Sequence, residues 1–215
     1  MPAPYSTFPD PDLSPLAERL DSRCEEHALH ALRLAPAALV EGLPARLLHQ
    51  ALAGVQADEG SVWLAQEASA VLVPVWNNGP DAARFVGSFR LPSTQGITGS
   101  VFTSGLAACE SEVCFHQRQN RDLDRSLEVL TWAMLAVPLK FAGAVRGVIT
   151  AVRLIRLRDL PGLTHVPESA ADFPPGFTPP AAFSVADLAA METTAAGVGR
   201  LIQHRLTAWV LGIEE

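Results

Sequence analysis

The chain has 215 residues, of which 48% are hydrophobic and 18% are charged, and its formal net charge is −7. This length and apolar content predict one domain of α/β size with extensions, because a full hydrophobic core can be buried. The acidic balance argues against nucleic acid and against an anionic membrane surface as partners, since both bind basic faces.

Membrane segments, targeting signals and disulfides are not indicated either. No apolar run reaches the roughly 18 residues of a membrane-spanning helix. The first residues lack the basic flank and the apolar core of a signal peptide. Cys24, Cys109 and Cys114 are too few, and odd in number, for a disulfide framework. We therefore expect a protein of the reducing cytoplasm.

The N-terminal part is predicted to be helical after a short tail. Residues 1–13 contain four prolines and are expected to be disordered. Ser14 and Pro15 form a typical helix start, and two consecutive helices predict an N-terminal helical extension over 14–42. A third helix begins at Pro44, where apolar residues follow the helical period.

Five segments are predicted to be strands. The last two are nearly continuous in apolar residues, which is typical of central strands covered on both faces. A turn is expected where Asn-Asn-Gly-Pro occupies residues 77–80. The predicted strands are 61–66, 71–77, 83–91, 132–139 and 145–154.

The C-terminal part combines a loop and a long helix. Residues 156–182 contain six prolines and are interpreted as an insertion, which either closes over a site or is a plain surface excursion. Ser184 is the predicted cap of the last helix. Gly197 and Gly199 within it are expected to mark close approach to another backbone. An apolar seam with a spacing of seven is interrupted by Arg205, and it can pair with a helix of this chain or of a second protomer. The seam residues are Leu188, Met191, Ala195, Val198, Ile202 and Trp209.

Five segments, in this order, resemble the pattern of the GAF domain, a sensory α/β module. An acidic-Gly turn precedes a strand, a Gly-Ile-x-Gly segment opens a helix, one strand ends in Val-Pro-Leu, another contains Gly-Val, and Phe-x-x-x-Asp opens the closing helix. The segments are DEGSVWL at 58–64, GITGSVFTSG at 96–105, LAVPL at 135–139, RGVI at 146–149 and FSVAD at 183–187. Glycines at a turn into a helix permit positive φ and close packing.

The resemblance implies an α+β, GAF-like (PAS-related) fold over 43–211, with the Pro-rich insertion at 156–182. Its central antiparallel sheet of five to six strands would carry helices on one face and a terminal helical bundle. The connection 109–131 would cover the other face, with a ligand pocket beneath it. Aromatic walls with a few polar groups suit a flat or apolar ligand, although the same aromatics can simply fill a core. The expected ligand-binding residues are Trp76, Phe89, Phe102, Phe115, His116 and Trp132.

Two specific ligands known in the family fit the sequence less well. Nucleotide-binding members carry an Asn-Lys…Phe…Asp-Glu signature. Phe183 and Asp187 match it, but Arg153-Leu154 and Leu188 depart from it. Bilin attachment needs an accessible thiol, commonly beside a histidine. Cys114 is two residues from His116, and a buried core thiol is the alternative interpretation.

Thiol and acid–base chemistry are weak hypotheses. Cys109 and Cys114 could form a disulfide, or bind a metal with His116, but a fourth zinc ligand is missing at any standard spacing and glutamates flank the pair. Asp122, Asp124 and Arg125 are interpreted as a solvated loop. No catalytic residue, metal ligand or cofactor is assigned, and the chain is not expected to be an enzyme.

The predicted function is therefore regulatory. A domain of this kind would bind a small molecule and signal through protein contacts of its terminal helices, as a homodimer and with a separate signalling protein as partner. The alternative is a ligand-free dimerisation or scaffold module. A thiol redox sensor and a bilin photoreceptor remain further alternatives.

Overall fold

Six antiparallel strands form one sheet in the computed structural model, which describes residues 14–66, 68–117, 119–160 and 166–213. The strands are β1 (Glu59–Gln66), β2 (Val71–Asn77), β3 (Leu91–Pro92), β4 (Ala108–Ser111), β5 (Val129–Phe141) and β6 (Ala144–Arg156). Their order across the sheet is β3-β2-β1-β6-β5-β4, and every neighbouring pair is antiparallel. The expected sheet of five to six strands is thus confirmed, with six among the described residues.

Three long helices cover one face of this sheet. They are α1 (Ser14–Leu34), α2 (Leu43–Gly54) and α5 (Val185–Leu211), and a 3-10 turn at Pro36–Leu39 joins the first two. The short helices α3 (Gly96–Ser104) and α4 (Asp122–Leu127) lie on the other face with the connection around them. Within the described parts of the chain, no helix has the length and apolar content needed to cross a bilayer. The predicted disordered tail, 1–13, falls outside the described residues.

Strand alternation divides the buried residues into two cores. On β1, Val62 and Leu64 point to the long helices, and Trp63 and Ala65 point to the opposite face. A strand buried on both faces needs an almost continuous apolar sequence, which is what β5 and β6 carry. The small second core, on the side of α3, is where the connection leaves space against the sheet.

The last helix packs along the sheet as its sequence predicts. Ser184 caps it, with Asp187 completing a capping box. Most of the apolar seam packs within this chain, because four of its six members are buried in the core. Arg205, which interrupts the seam, donates to the carbonyls of Ala38 and Glu41, and so binds the turn between α1 and α2. The four buried members are Met191, Ala195, Val198 and Ile202.

Residues 83–91 were expected to be a strand, and this prediction is wrong. They form a 3-10 turn at Ala82–Arg84 and further turns, and only Leu91–Pro92 pairs with β2. Gly87 has a positive φ of 78° and donates its N–H to the carbonyl of Pro74 at 2.7 Å. A left-handed residue interrupts an extended segment, so the alternation in this stretch does not reflect a strand.

The Pro-rich insertion packs against aromatic residues on the side of the long helices. Phe173 stacks on Phe177 with ring centroids 4.7 Å apart, and it contacts the rings of Phe115 and Trp132 at 6.1 and 6.0 Å. The alternative that it closes over a site is not supported by the described part of the insertion, because this cluster belongs to the core of the opposite face from α3. Residues 161–165 lie outside the described residues.

Candidate ligand cavity

A cavity of about 90 Å³ lies between the sheet and the connection that carries α4. Trp63, Met134 and Thr150 form its floor on three neighbouring strands, and Leu123 and Leu127 of α4 cover it. The first turn of α3 closes one side through Gly96, Ile97 and Thr98. The cavity therefore lies where the resemblance places a pocket, beneath the 109–131 connection.

Polar groups on the sheet are fixed by hydrogen bonds within the cavity wall. The indole N–H of Trp63 donates to Thr150 Oγ1 at 3.2 Å. At the end of β2, the side-chain amide of Asn77 donates to Ser61 Oγ at 3.0 Å and to the carbonyl of Gly60 at 3.1 Å. These contacts hold the orientation of the side chains that line the space.

Asp124 is the polar residue that α4 places in the cavity wall. Its carboxylate accepts hydrogen bonds from the Thr131 N–H and from Thr131 Oγ1, both at 3.0 Å, and it is only 9% exposed. Burial raises the pKa of this carboxyl group, and the bonds from Thr131 and Gln119 oppose the rise. The interpretation of 122–125 as a solvated loop is therefore wrong for Asp124. Leu123 and Leu127, four residues apart, were the sequence signal for a helix with one buried face.

Glu59 is the second carboxyl group of the wall, and it has an ionic partner. Arg156 Nη2 lies 3.3 Å from Glu59 Oε1, and Arg156 Nη1 lies 4.0 Å from Asp81 Oδ2. Burial raises the pKa of Glu59, and the charge of Arg156 lowers it by less. This end of the cavity is thus partly neutralised.

One hydrogen bond ties the connection to the helix that borders the cavity. Asn120 Nδ2 donates to Gln95 Oε1 at 3.1 Å, with Gln95 exposed and Asn120 half-buried. Asn120 also lines the cavity, and Gln95 is the residue before α3. The pair spans the two elements that would separate if the cavity opened.

Comparison with known proteins decides the fold. No family model matches the chain, and no curated protein matches it either. Among solved structures, the GAF domain of an Acinetobacter phosphoenolpyruvate-protein phosphotransferase is 17% identical, with a TM-score of 0.54 over 90% of this chain and 97% of that one. The second GAF domain of DevS from Mycobacterium smegmatis is 20% identical, with a TM-score of 0.55 over 82% and 99%.

A third solved structure, the GAF domain of the Coxiella burnetii phosphoenolpyruvate-protein phosphotransferase, is 17% identical, with a TM-score of 0.52 over 92% of this chain and 96% of that one. The chain has the GAF fold. At these identities the likeness concerns the fold alone, and the site must be argued from the residues of this chain.

The GAF fold brings one of the six expected ligand-binding residues to the cavity. Phe89 lines it, and its ring lies 6.1 Å from that of Trp63 in an edge-to-face arrangement. Phe102 packs from α3 against the neighbouring apolar core without lining the cavity. His116 borders a depression on the protein surface.

The other three expected residues lie on the side of the long helices. Trp76 contacts His49 of α2 at 5.1 Å, and Trp132 contacts Phe115 at 6.1 Å. A β-bulge places each tryptophan on this face. The bulges are at Val75 in β2 and at Trp132 in β5, which have no partner in the strand register. One extra residue in a strand inverts which face the next side chains occupy. A site built from all six residues is therefore not what this GAF fold assembles.

The cysteines of the GAF fold do not approach the cavity. Cys114 is buried in the core on the side of the long helices, and burial raises its pKa to about 11. Cys109 lies on β4 with its Sγ 3.6 Å from the carbonyl of Phe183, and burial, Glu110 and Asp187 raise its pKa. Both are thus mostly protonated thiols near neutral pH. Among the described residues there is no group of three or more His, Cys, Asp or Glu placed to hold a metal ion.

Proposed function

We propose that this chain is a sensory GAF domain that binds a small molecule in the cavity under the connection and regulates a separate protein. The observation that carries the proposal is the cavity itself, which has a wall of fixed polar groups on the sheet and apolar groups on α4. A mixed wall of this kind is what small-molecule sites use, with apolar groups for affinity and a few polar groups for orientation.

The path to a partner would run through the long helices. The cavity floor includes Met134 of β5 and Thr150 of β6, and α5 packs on the opposite face of β5. Gln203 Oε1 accepts the Ala142 N–H at 2.8 Å, so α5 is also bonded to the β5–β6 turn. A ligand that favours one arrangement of the sheet and α5 would shift the population of that arrangement.

The first experiment is native mass spectrometry of the protein purified from its own host, with an absorbance scan beside it. A retained small molecule would support the proposal directly. For weaker ligands, a thermal-shift screen follows, because a ligand that binds only the folded state raises Tm. The proposal fails if no compound raises Tm in a broad screen of small molecules.

A cavity-filling variant makes this screen specific. Leu127→Trp introduces a large ring from α4 into the cavity and should abolish any thermal shift. Arg125→Trp is the matched control, since Arg125 lies on the same helix, is exposed and does not line the cavity. A hit that survives Leu127→Trp binds elsewhere.

A dimerisation or scaffold module is the second candidate, and exposed apolar residues at the end of α5 favour it. Trp209, Leu211 and Ile213 are 41%, 58% and 57% exposed. Under this hypothesis the domain would form a homodimer through this end, and the cavity would be a packing defect without a ligand. A bilin is disfavoured because a tetrapyrrole is far larger than the cavity. The raised pKa of both thiols disfavours redox sensing and nucleophilic catalysis through these cysteines. The role that we propose is regulatory and non-enzymatic.

A further inference from the structure

The charged side chains that line the cavity are all acidic. It contains the carboxyl groups of Glu59 and Asp124, and no Lys, Arg or His among the described residues lines it. The remaining polar wall consists of hydroxyl and side-chain amide groups, such as Ser61, Thr131 and Asn77. An anionic ligand would therefore enter a partly enclosed space with no cation in its wall, and the loss of water around its charge there is unfavourable.

The two carboxyl groups differ in how far they are neutralised. Glu59 has the guanidinium of Arg156 at 3.3 Å. The hydrogen bonds that Asp124 accepts come from neutral donors, and the charge of Arg121 is the smallest of the influences on its carboxyl group. Asp124 is thus the point in the wall where a positive charge is most favoured. A charged donor to a carboxylate forms a stronger hydrogen bond than a neutral donor does.

The volume limits the size of the ligand. An apolar cavity of about 150 Å³ accommodates benzene, with six non-hydrogen atoms, so by proportion about four such atoms fit a smaller space of this size. The cavity here has about 90 Å³. Its apolar wall, which includes Phe85, Phe89 and Met134, suits a short alkyl chain.

We propose that the cavity binds a small alkylammonium compound, with the ammonium group on Asp124 and the alkyl chain against the aromatic and aliphatic wall. This inference rests on the proposed sensory function and specifies the chemical class of its ligand. It predicts that, among ligands of similar size, the cavity binds a positively charged head group more tightly than a neutral or a negatively charged one.

Three probes of equal length test this preference: n-propylammonium chloride, 1-propanol and sodium propionate, each titrated at the same ionic strength and followed by protein NMR. The ammonium compound is expected to bind at least tenfold more tightly than the alcohol, and propionate is expected not to bind. Asp124→Asn should reduce the affinity for propylammonium at least tenfold. Asp122→Asn, on the same helix but exposed and outside the cavity wall, should leave it unchanged.

The inference is overturned if propionate binds more tightly than propylammonium, if Asp124→Asn leaves the ammonium affinity unchanged, or if none of the three probes binds. The sensory function fails separately. A propionate signal that Leu127→Trp abolishes would refute the cationic class and still support a ligand-binding cavity. The broad thermal-shift screen decides whether any ligand exists at all.

Discussion

Gly199 is the residue where α5 comes closest to the sheet. A Cβ atom at this position would lie 2.2 Å from the carbonyl oxygen of Lys140, whereas one at Gly197 would lie 3.1 Å from a methyl group of Leu47. The first neighbour is backbone and cannot move away cheaply, and the second is the end of a flexible side chain. The sequence-based expectation of close backbone approach is therefore confirmed for Gly199, and Gly197 meets a side chain instead.

These two glycines form a matched pair for a stability measurement. Alanine gains about 1 kcal/mol over glycine in a helix interior, but overpacking costs about 1–3 kcal/mol. We expect Gly199→Ala to lower the free energy of unfolding by about 1 kcal/mol and Gly197→Ala to change it little or raise it. Urea unfolding of both variants measures the difference. Equal effects would contradict the close approach of α5 to β5.

Two substitutions of Asp124 distinguish the effect of losing its charge from the effect of losing its hydrogen bonds. Its folded-state pKa is raised, so its ionisation costs stability as pH rises from 3.8 through the folded pKa. Asp124→Asn keeps an acceptor for the Thr131 N–H, and we expect it to be near neutral or stabilising at pH 7. Asp124→Ala leaves both Thr131 donors without an acceptor and should cost about 1–3 kcal/mol. Thermal unfolding at pH 7 measures both, and similar losses in the two variants would contradict this account.

At the scale of elements, the start of α5 depends on its capping box. The Asp187 carboxylate accepts from the N–H and the hydroxyl of Ser184, both at 2.8 Å. These bonds lower the pKa of Asp187 below its usual 3.8, with a smaller contribution from Arg153. A carboxyl group with a lowered pKa stabilises the fold above its unfolded pKa, and this contribution is lost as pH falls through the folded value.

We therefore expect Asp187→Asn to lower the free energy of unfolding by about 1 kcal/mol at pH 7. The difference from the parent protein should shrink as pH falls below 3.8, since the parent loses the same contribution there. Denaturant unfolding across this pH range is the measurement. Asp122→Asn, an exposed acid on α4, serves as control, and a pH-independent difference would count against the capping role of the charge.

Arg153 of β6 is bonded to the residues after α2 and to the end of the Pro-rich segment just before α5. Its guanidinium donates to the carbonyls of Val55 and Gln56 after α2, and to those of Ala181 and Ala182 before α5. It also lies 4.4 Å from the centroid of the Phe183 ring. A planar guanidinium offers five donors in a fixed fork together with a flat face that stacks on an aromatic ring, whereas an ammonium group offers three donors and no such plane.

Replacing Arg153 by Lys should therefore loosen the Pro-rich segment without unfolding the domain. We expect faster hydrogen exchange at 177–184 and at the end of α2, and unchanged exchange at 119–131 around the cavity. Hydrogen-exchange mass spectrometry gives both readings in one experiment. Uniformly faster exchange would mean that Arg153 supports the whole fold.

The elements with strong periodicity or end signals were predictable, and those formed by long-range pairing were not. Ser184 and Pro15 indicated where two helices begin, and the apolar content of β5 and β6 indicated central strands. The strand β4 escaped prediction because Ala-Cys-Glu-Ser has little strand preference and pairs at an edge only through β5. The segment 83–91 was misassigned because Gly87 adopts a left-handed conformation that alternation does not reveal.

The site was less predictable than the fold for a related reason. Its position followed from the order of motifs, but the residues on its wall depend on strand register. Two single-residue bulges, at Val75 and Trp132, move two tryptophans to the opposite face. The burial of Asp124 was not predicted because it requires the connection to fold back on β5, and the spacing of Leu123 and Leu127 indicates a helix without showing where that helix packs.

For the whole molecule, the exposed end of α5 is the surface on which the dimerisation hypothesis depends. Most of the seam on α5 is occupied by the core of this chain, and Trp209 at its end is exposed, so a homodimer that forms through α5 would use this end. Deleting the end of α5 would not test this cleanly, because Ile202 and Leu206 are fully buried. A substitution at the surface avoids that loss of core.

We expect Trp209→Glu to convert a dimer into a monomer in sedimentation experiments, because a charge at an apolar interface opposes its burial. Val185→Glu is the control, since Val185 is 81% exposed at the opposite end of α5. Both variants should keep the Tm of the parent protein within a few degrees. A dimer that survives Trp209→Glu would place the interface elsewhere.

The contact between Gly199 and Lys140 lies near the middle of α5, so this helix can tilt as a rigid body with the contact as its pivot. At 1.5 Å per residue, the arms from Gly199 to Val185 and to Leu211 are about 21 Å and 18 Å long. A tilt of about 5° around this pivot moves the two ends by about 1.8 Å and about 1.6 Å, in opposite directions. One end adjoins the Ser184 cap and Arg153, and the other carries Trp209. A displacement of β5 under this contact would therefore move α5, and the bonds of Gln203 and Arg205 limit how much of the movement reaches the exposed apolar end.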